Sequence, residues 1–209
     1  MGNIAVTGHL ILLGDSVFDN GVYVQPGQAD VTTHLNAKLK PKGWTIDVRA
    51  VDGHVVSNIE GQLGSEPIPK PCTFVLSAGG NDALGHIHLL QEPIPDGTMA
   101  SALMLFHGIK ERFRGQYANA LDLILGHEQP LIVCTIYNPR YPESDLQALA
   151  KTALSFFNDV ITEEALRKGV PIIDLRDVCS DPPDFANPIE PSEIGGDKIT
   201  DAIITHLLG

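Results

Sequence analysis

The chain has 209 residues, of which 43% are hydrophobic and 19% charged, and its formal net charge at pH 7 is −12. This length suits one compact domain over residues 1–209, and the composition excludes a disordered chain. The acidic balance argues against a nucleic-acid partner, since no basic patch is available to bind a phosphate backbone.

No apolar run approaches the ~18 residues that a membrane span needs. The first ten residues lack the basic start, apolar stretch and cleavage site of a signal peptide. The three cysteines are odd in number and irregularly spaced, which favours reduced thiols over a disulfide framework. We therefore expect a cytoplasmic protein without a membrane span.

Short apolar segments alternate with longer helical patterns along the chain. The apolar segments predict strands at residues 9–14, 44–51, 72–79, 131–137 and 170–175. Their nearly continuous apolar character indicates burial on both faces, as in a parallel sheet. The helical patterns follow Asp30 and cover about 98–125, 144–169 and 195–208. This alternation predicts an α/β fold with three layers.

Two of the predicted helices carry more detailed signals. In the second, apolar residues recur in steps of three or four and predict one buried face, made of Met99, Leu103, Phe106, Ile109, Phe113, Tyr117, Leu121 and Ile124. In the third, Ser144 and Gln147 form a capping-box pattern that predicts the helix start.

Ligands of parallel sheets bind beyond the carboxyl ends of the strands, and three loops there are rich in small polar residues. Ser16, after the first strand, is a candidate nucleophile whose N–H can also stabilise an oxyanion, although Asp15 or Ser16 can equally cap a helix. Gly53 and Asn81, after the second and third strands, can donate to the same oxyanion, although both also suit turns.

The sequence Gly14-Asp15-Ser16, followed by Gly53 and then by "GGND" around Asn81, resembles the SGNH (GDSL-type) hydrolases over essentially the whole chain. The resemblance implies a flavodoxin-like α/β/α fold with a five-stranded parallel sheet, and hydrolysis of small-molecule carboxylic esters through an acyl-enzyme. It implies Ser16 as nucleophile and an oxyanion hole from Ser16, Gly53 and Asn81. We expect Asp15 to orient the first loop through backbone hydrogen bonds, and no cofactor or metal.

The chain departs from this family where an Asp-x-x-His motif is expected before the last helix, since Asn187 and Glu190 occupy those positions. One hypothesis is that Glu190 is the base and that Asn187 holds its carboxyl group. A glutamate starts about two pKa units below a histidine, roughly 3 kcal/mol, but burial can raise it to about 6–7. A second hypothesis takes a histidine as base, such as His54, or His86 or His88 after "GGND".

A third hypothesis is a catalytically weak or inactive module that binds an acyl or carbohydrate ligand. A phosphate-binding loop is disfavoured because the first loop holds Asp15 and Asp19 and no basic residue. A metal site is disfavoured by the spacing of its candidate ligands. We favour an esterase or lipase with an altered base, and we expect residues 86–100 to form part of an acyl-pocket wall.

Overall fold

The computed structural model describes residues 8–94 and 96–209. Most of the N-terminal segment, on which the expected absence of a signal peptide rests, lies outside the described residues. No helix in the described part of the chain is both long enough and apolar enough to cross a membrane.

Five parallel strands form the central sheet in the order β2-β1-β3-β4-β5. They are β1 (His9–Gly14), β2 (Thr45–Val48), β3 (Cys72–Ser77), β4 (Leu131–Cys134) and β5 (Ile172–Ile173). A separate antiparallel pair consists of β6 (Phe185–Asn187) and β7 (Glu190–Pro191). The strand order reverses at β1, which lies between β2 and β3, and such a reversal opens a crevice at the carboxyl ends of the strands.

Helices cover both faces of the sheet and confirm the predicted three-layer α/β/α fold. The helices are α1 (Val31–Leu39), α2 (Ile59–Gly64), α3 (Gly80–Leu84), α4 (Met99–Leu125), α5 (Ser144–Arg167), α6 (Leu175–Val178) and α7 (Glu193–Leu208). Along β1, Leu10 and Leu12 belong to the apolar cluster under α1 and α7, whereas Ile11 and Leu13 belong to the cluster under α4 and α5. Burial on both faces explains why the strands are almost continuously apolar.

Strands β2, β3, β4 and β5 each end two or three residues earlier than the sequence predicts. Strand β2 ends at Val48, because the next two N–H groups, of Arg49 and Ala50, both donate to the carbonyl of Leu12 and leave the regular ladder. Strand β4 ends at Cys134, and β5 ends at Ile173, where the Asp174 side chain caps α6.

Two helical predictions were partly wrong. Helix α5 has Glu143 rather than Ser144 at its N-cap, because the Gln147 side chain instead bonds to Tyr141 N–H and the Pro139 carbonyl in the preceding loop. In α4 the apolar face is buried from Ile109 onwards, but Met99 is 73% and Leu103 54% exposed. A helix of 27 residues is about 40 Å long, so its first turns extend beyond strands that span about 20 Å.

Gly14 is the position at which the sheet tolerates no side chain. Its φ is +132°, and a Cβ there would lie 1.8 Å from the Ser77 carbonyl oxygen of the neighbouring strand. We expect Gly14→Ala to lower the free energy of unfolding by at least about 2 kcal/mol, because backbone strain alone costs about 1–3 kcal/mol. Urea unfolding monitored by circular dichroism measures this.

Gly61→Ala is the matched control, since Gly61 lies exposed in α2 with open space where its Cβ would be. We expect this variant to be as stable as the wild type or slightly more stable. Equal stability of the two variants would contradict the close approach of β1 and β3 at Gly14.

Candidate active site

The loop after β1 is fixed by hydrogen bonds on both sides of Gly14. The buried Gln62 side chain accepts from the Gly14 N–H (2.8 Å) and donates to the Gly14 carbonyl (2.7 Å). The Asp15 N–H donates to the Ser77 carbonyl (3.2 Å), and Asp15 Oδ1 accepts from the Val17 N–H (3.2 Å). Asp15 therefore makes the backbone hydrogen bonds expected of it, in a turn that does not continue into a helix.

Glu190 lies on the hairpin formed by β6 and β7, just before α7. Asn187 Oδ1 accepts from the N–H groups of Ile189 (2.9 Å) and Glu190 (3.0 Å). From the loop after β4, the Tyr137 hydroxyl donates to the Ile189 carbonyl (2.6 Å) and the Arg140 N–H to the Pro188 carbonyl (2.7 Å). The predicted bond from Asn187 to the Glu190 carboxyl group is wrong, because the Asn187 oxygen faces the backbone of its own turn, as in an Asx turn.

Ser16 and Glu190 meet at the end of β1. Ser16 Oγ donates to Glu190 Oε1 at 3.0 Å, although the two residues are 174 positions apart in the chain. Ser16 is 7% exposed and Glu190 is 5% exposed. Glu190 Oε2 is buried and has no hydrogen-bond partner within the described residues. A hydroxyl bound to a buried carboxyl group is the arrangement that a nucleophile and its base require.

Burial sets the proton affinity of both carboxyl groups beside Ser16. It raises the pKa of Glu190 from 4.5 to about 7. The hydrogen bond from Ser16 lowers this pKa, and the negative charge of Asp52 raises it by a smaller amount. Burial also raises the pKa of Asp15 from 3.8 to about 7, helped by the charges of Glu190 and Asp82 and opposed by the Val17 N–H. The Glu190 carboxyl group thus titrates where an ordinary histidine does, near 6.5.

The loops after β2 and β3 are joined to each other beside this pair. Asn81 Nδ2, in the first turn of α3, donates to the His54 carbonyl (2.9 Å), and Asp82 Oδ2 accepts from the Val56 N–H (3.0 Å). Asn81 lines the cleft that contains Ser16. Gly53 is exposed, does not line that cleft and has φ +79°. Within residues 8–94 and 96–209, the N–H groups of Ser16 and Gly53 donate to no other residue.

The three histidines considered as bases do not bind Ser16. His54 Nδ1 lies 2.9 Å from Gln62 Nε2, which fixes the ring away from the cleft lining. His86 lines the cleft, and burial, together with the charges of Arg112 and His88, lowers its pKa. His88 is exposed, 4.0 Å from Glu92. Among the described residues, Glu190 is the hydrogen-bond partner of the Ser16 hydroxyl.

A cleft open to solvent extends from Ser16 between α3, α4 and α5. Its polar end holds Asp15, Ser16, Asn81 and Glu190, and most of the remaining wall is apolar. The predicted wall from residues 86–100 is present in part, through His86, Ile87 and Leu90. No sequence pattern indicates the contribution from α5, because the cleft-facing positions of this helix have the same spacing as core positions. These are Ala150, Ala153, Leu154 and Phe157.

The described residues contain no group of three or more His, Cys, Asp or Glu side chains that could hold a metal ion. The acidic residues of the first loop instead bind backbone. Asp15 Oδ1 accepts from the Val17 N–H, and Asp19 Oδ2 accepts from the Asp52 N–H (2.9 Å).

Comparisons with known proteins find one matching family and several similar folds. Residues 12–195 match the profile of the GDSL-like lipase/acylhydrolase family. One similar solved structure is an extracellular lipase of Streptomyces rimosus, with 15% identity over 95% of this chain and 99% of that chain and a TM-score of 0.67. Another is the lipase Lip_vut3 from a goat rumen metagenome, with 17% identity over 95% of this chain and 96% of that chain and a TM-score of 0.70. The acetylxylan esterase Axe2 of Geobacillus stearothermophilus is also similar, with 16% identity over 97% of this chain and 94% of that chain and a TM-score of 0.63. Among curated protein sequences none matches this chain.

The buried carboxyl group of Glu190 makes stability depend on pH. Its pKa is higher in the folded than in the unfolded chain, so its stabilising effect is complete below about pH 4.5 and is lost as the pH rises through about 7. At pH 8.5 we expect the free energy of unfolding of Glu190→Gln, measured by urea unfolding, to exceed that of the wild type by about 1–3 kcal/mol. At pH 5 the two proteins differ less.

Glu60→Gln, which changes an exposed glutamate in α2, is the control and is expected to follow the wild type at both pH values. Asp15 retains its own raised pKa in every variant, so the pH dependence of Glu190→Gln is reduced rather than abolished. A Glu190→Gln variant that is less stable than the wild type at pH 8.5 would contradict the cost of burying this carboxylate.

Proposed function

The chain belongs to the GDSL-like lipase/acylhydrolase family, and on this premise we propose that it is a serine-dependent hydrolase of carboxylic esters in which Glu190 is the catalytic base. The observation that carries the proposal is the 3.0 Å hydrogen bond from Ser16 Oγ to a buried carboxyl group whose pKa is about 7. At neutral pH a large fraction of such a group is ionised and able to accept a proton, while its affinity for that proton is close to that of a histidine.

In the proposed reaction Ser16 Oγ attacks the ester carbonyl carbon while its proton passes to Glu190 Oε1, giving a tetrahedral intermediate. The intermediate collapses to an acyl-Ser16 ester, and protonated Glu190 returns the proton to the departing alcohol. A water molecule then loses a proton to Glu190 and attacks the acyl carbon. Ser16 leaves with that proton, the carboxylic acid is released and the enzyme is restored.

We assign the oxyanion hole to the N–H of Ser16 and the side chain of Asn81, which line the cleft, with the N–H of Gly53, outside the cleft lining, as the proposed third donor. Two observations support this assignment. The two N–H groups donate to no other described residue, and Asn81 Nδ2 uses one of its two protons for the His54 carbonyl and keeps the second. A single donor of this kind contributes about 3–4 kcal/mol to the stabilisation of the transition state.

We also propose that residues 1–209 form one domain that works in the cytoplasm. All proposed catalytic groups lie at one edge of one sheet or on the hairpin beside it. The thiols of Cys72, Cys134 and Cys179 are all buried and unpaired, which supports a reducing compartment.

The proposal is tested by the hydrolysis of p-nitrophenyl butyrate between pH 5 and 9. We expect Ser16→Ala to lose at least about 10³-fold in kcat and Glu190→Gln about 10²–10⁴-fold. In the wild type kcat/KM falls about tenfold per pH unit below about 7, because a protonated Glu190 cannot accept the Ser16 proton.

Ser57→Ala is the control, because Ser57 is exposed in a short 3-10 turn outside the cleft. Equal rates for the wild type and Ser16→Ala would contradict the proposal and favour a module that binds its ligand without turnover. A wild-type rate that is flat from pH 5 to 9, with full activity in Glu190→Gln, would remove Glu190 as the base.

Asn187 is proposed as a positioning residue that acts through the backbone of Glu190. Asn187→Ala removes the acceptor for two N–H groups of the hairpin turn, and we expect kcat to fall about tenfold, the cost of about one such bond, with little change in KM. Asn187→Asp keeps an acceptor oxygen in place and is expected to retain most of the activity. Equal losses of kcat in both variants would contradict this role, and steady-state kinetics at pH 8 distinguishes the cases.

A further inference from the structure

Two polar residues beside the site have no role in the reaction proposed above. Gln62 is buried on α2, and His54, which does not line the cleft, lies against it. We propose that these two residues form a bridge that positions the loop of Ser16 against the oxyanion hole. This inference rests on the proposed ester hydrolysis at Ser16, and it adds two positioning residues that touch no reacting atom.

The Gln62 side chain is 4% exposed and uses both of its polar atoms. Its Oε1 accepts from the Gly14 N–H (2.8 Å), and its Nε2 donates to the Gly14 carbonyl (2.7 Å). The second proton of Nε2 faces His54 Nδ1, 2.9 Å away. Because the Gly14 N–H can only donate, the orientation of the amide is fixed. His54 Nδ1 is therefore the acceptor of this bond.

The His54 ring anchors the turn that follows β2. The His54 N–H closes this turn by donating to the Val51 carbonyl (3.1 Å), and the turn contains Gly53, the proposed third oxyanion donor. The His54 carbonyl accepts from Asn81 Nδ2 (2.9 Å). One buried amide, that of Gln62, thus links the loop of the nucleophile to the turn that orients the oxyanion donors.

Arg49, itself buried, fixes the end of α2 that carries Gln62. Its guanidinium group donates to the carbonyls of Gln62 (3.4 Å), Leu63 (3.2 Å) and Glu66 (3.0 Å). Helix α2 has only six residues, and a helix of that length has little stability of its own, so its position depends on such tertiary contacts. Gln62 is therefore held through its own backbone as well as through its side chain.

The reaction needs this link because its groups come from separate loops. Ser16 follows β1, whereas the His54 turn follows β2 and Asn81 follows β3. An oxyanion donor acts only when it lies about 2.7–3.1 Å from the developing charge. A shift of about 1 Å between the loops is enough to lower the rate about 10²-fold.

Steady-state hydrolysis of p-nitrophenyl butyrate at pH 8 tests the bridge. We expect Gln62→Leu, which removes all three side-chain hydrogen bonds, to lower kcat about 10²-fold with less than about a twofold change in KM. We expect His54→Leu to lower kcat about tenfold, because the Asp52 N–H and the His54 N–H still hold the turn. His54→Asn places an acceptor oxygen where Nδ1 lies and is expected to retain most of the activity.

The double variant Gln62→Leu/His54→Leu distinguishes a bridge from two separate effects. The bond between the two side chains is already lost in Gln62→Leu, so the double variant is expected to be no slower than Gln62→Leu alone. A loss of about 10³-fold, the product of the two single losses, would overturn the bridge. Equal kcat values in His54→Leu and His54→Asn would also overturn it, because the acceptor at Nδ1 would then be irrelevant.

Gln91→Leu and His88→Leu are the matched controls and are expected to keep the wild-type kcat, because both side chains are exposed and lie outside the cleft lining. Urea unfolding checks that each variant is folded in the assay, and the two His54 variants test the bridge if Gln62→Leu does not fold. A folded Gln62→Leu protein with the wild-type kcat would overturn the bridge and leave a role in stability alone. The proposed function would stand in that case, provided that Ser16→Ala is inactive. Equal rates for the wild type and Ser16→Ala would instead reject the proposed function and the bridge with it.

Discussion

The hydrogen bond between Ser16 and the buried carboxyl group of Glu190 joins the end of the first strand to a hairpin near the other end of the chain. Its geometry depends on contacts that involve no reacting atom. Gln62 holds Gly14 by two hydrogen bonds, Asn187 accepts from the Glu190 N–H within the hairpin, and Tyr137 donates to the Ile189 carbonyl from the loop after β4. Support of this kind keeps a functional group within hydrogen-bond reach of its partner.

The same burial that raises the pKa of Glu190 also costs stability. The carboxyl groups of Asp15 and Glu190 are both buried at the polar end of the cleft, and Glu190 Oε2 has no partner among the described residues. A chain selected for stability alone would place an apolar or neutral residue there. The apolar clusters on both faces of the sheet offset this cost, and a conflict of this kind is typical of functional sites.

The fold was predictable because a parallel strand that is buried on both faces is almost continuously apolar, and all five strands of the sheet were identified from this pattern. The ends of the elements were less predictable. Ser144 has the sequence signature of a helix cap, but Gln147, which would complete it, is bound by the preceding loop. Met99 continues the spacing of the α4 core face, yet it is exposed, because the helix is longer than the sheet that it covers. The first difference arises from contacts with the loop just before the helix and the second from the limited span of the sheet, and the spacing of residue types shows neither.

The sequence by itself determined the sheet, the loops at the carboxyl ends of its strands, and Ser16, Gly53 and Asn81 as candidates, since residue type and position at a strand end are local properties. The resemblance to the SGNH hydrolases added Glu190. The tertiary structure decided which atoms meet. It placed the Glu190 carboxyl group on the Ser16 hydroxyl and His54 on Gln62, and it turned Asn187 towards the backbone. It also opened one face of α5 to the cleft, because core and cleft positions on a helix have the same periodicity and only packing against other elements separates them.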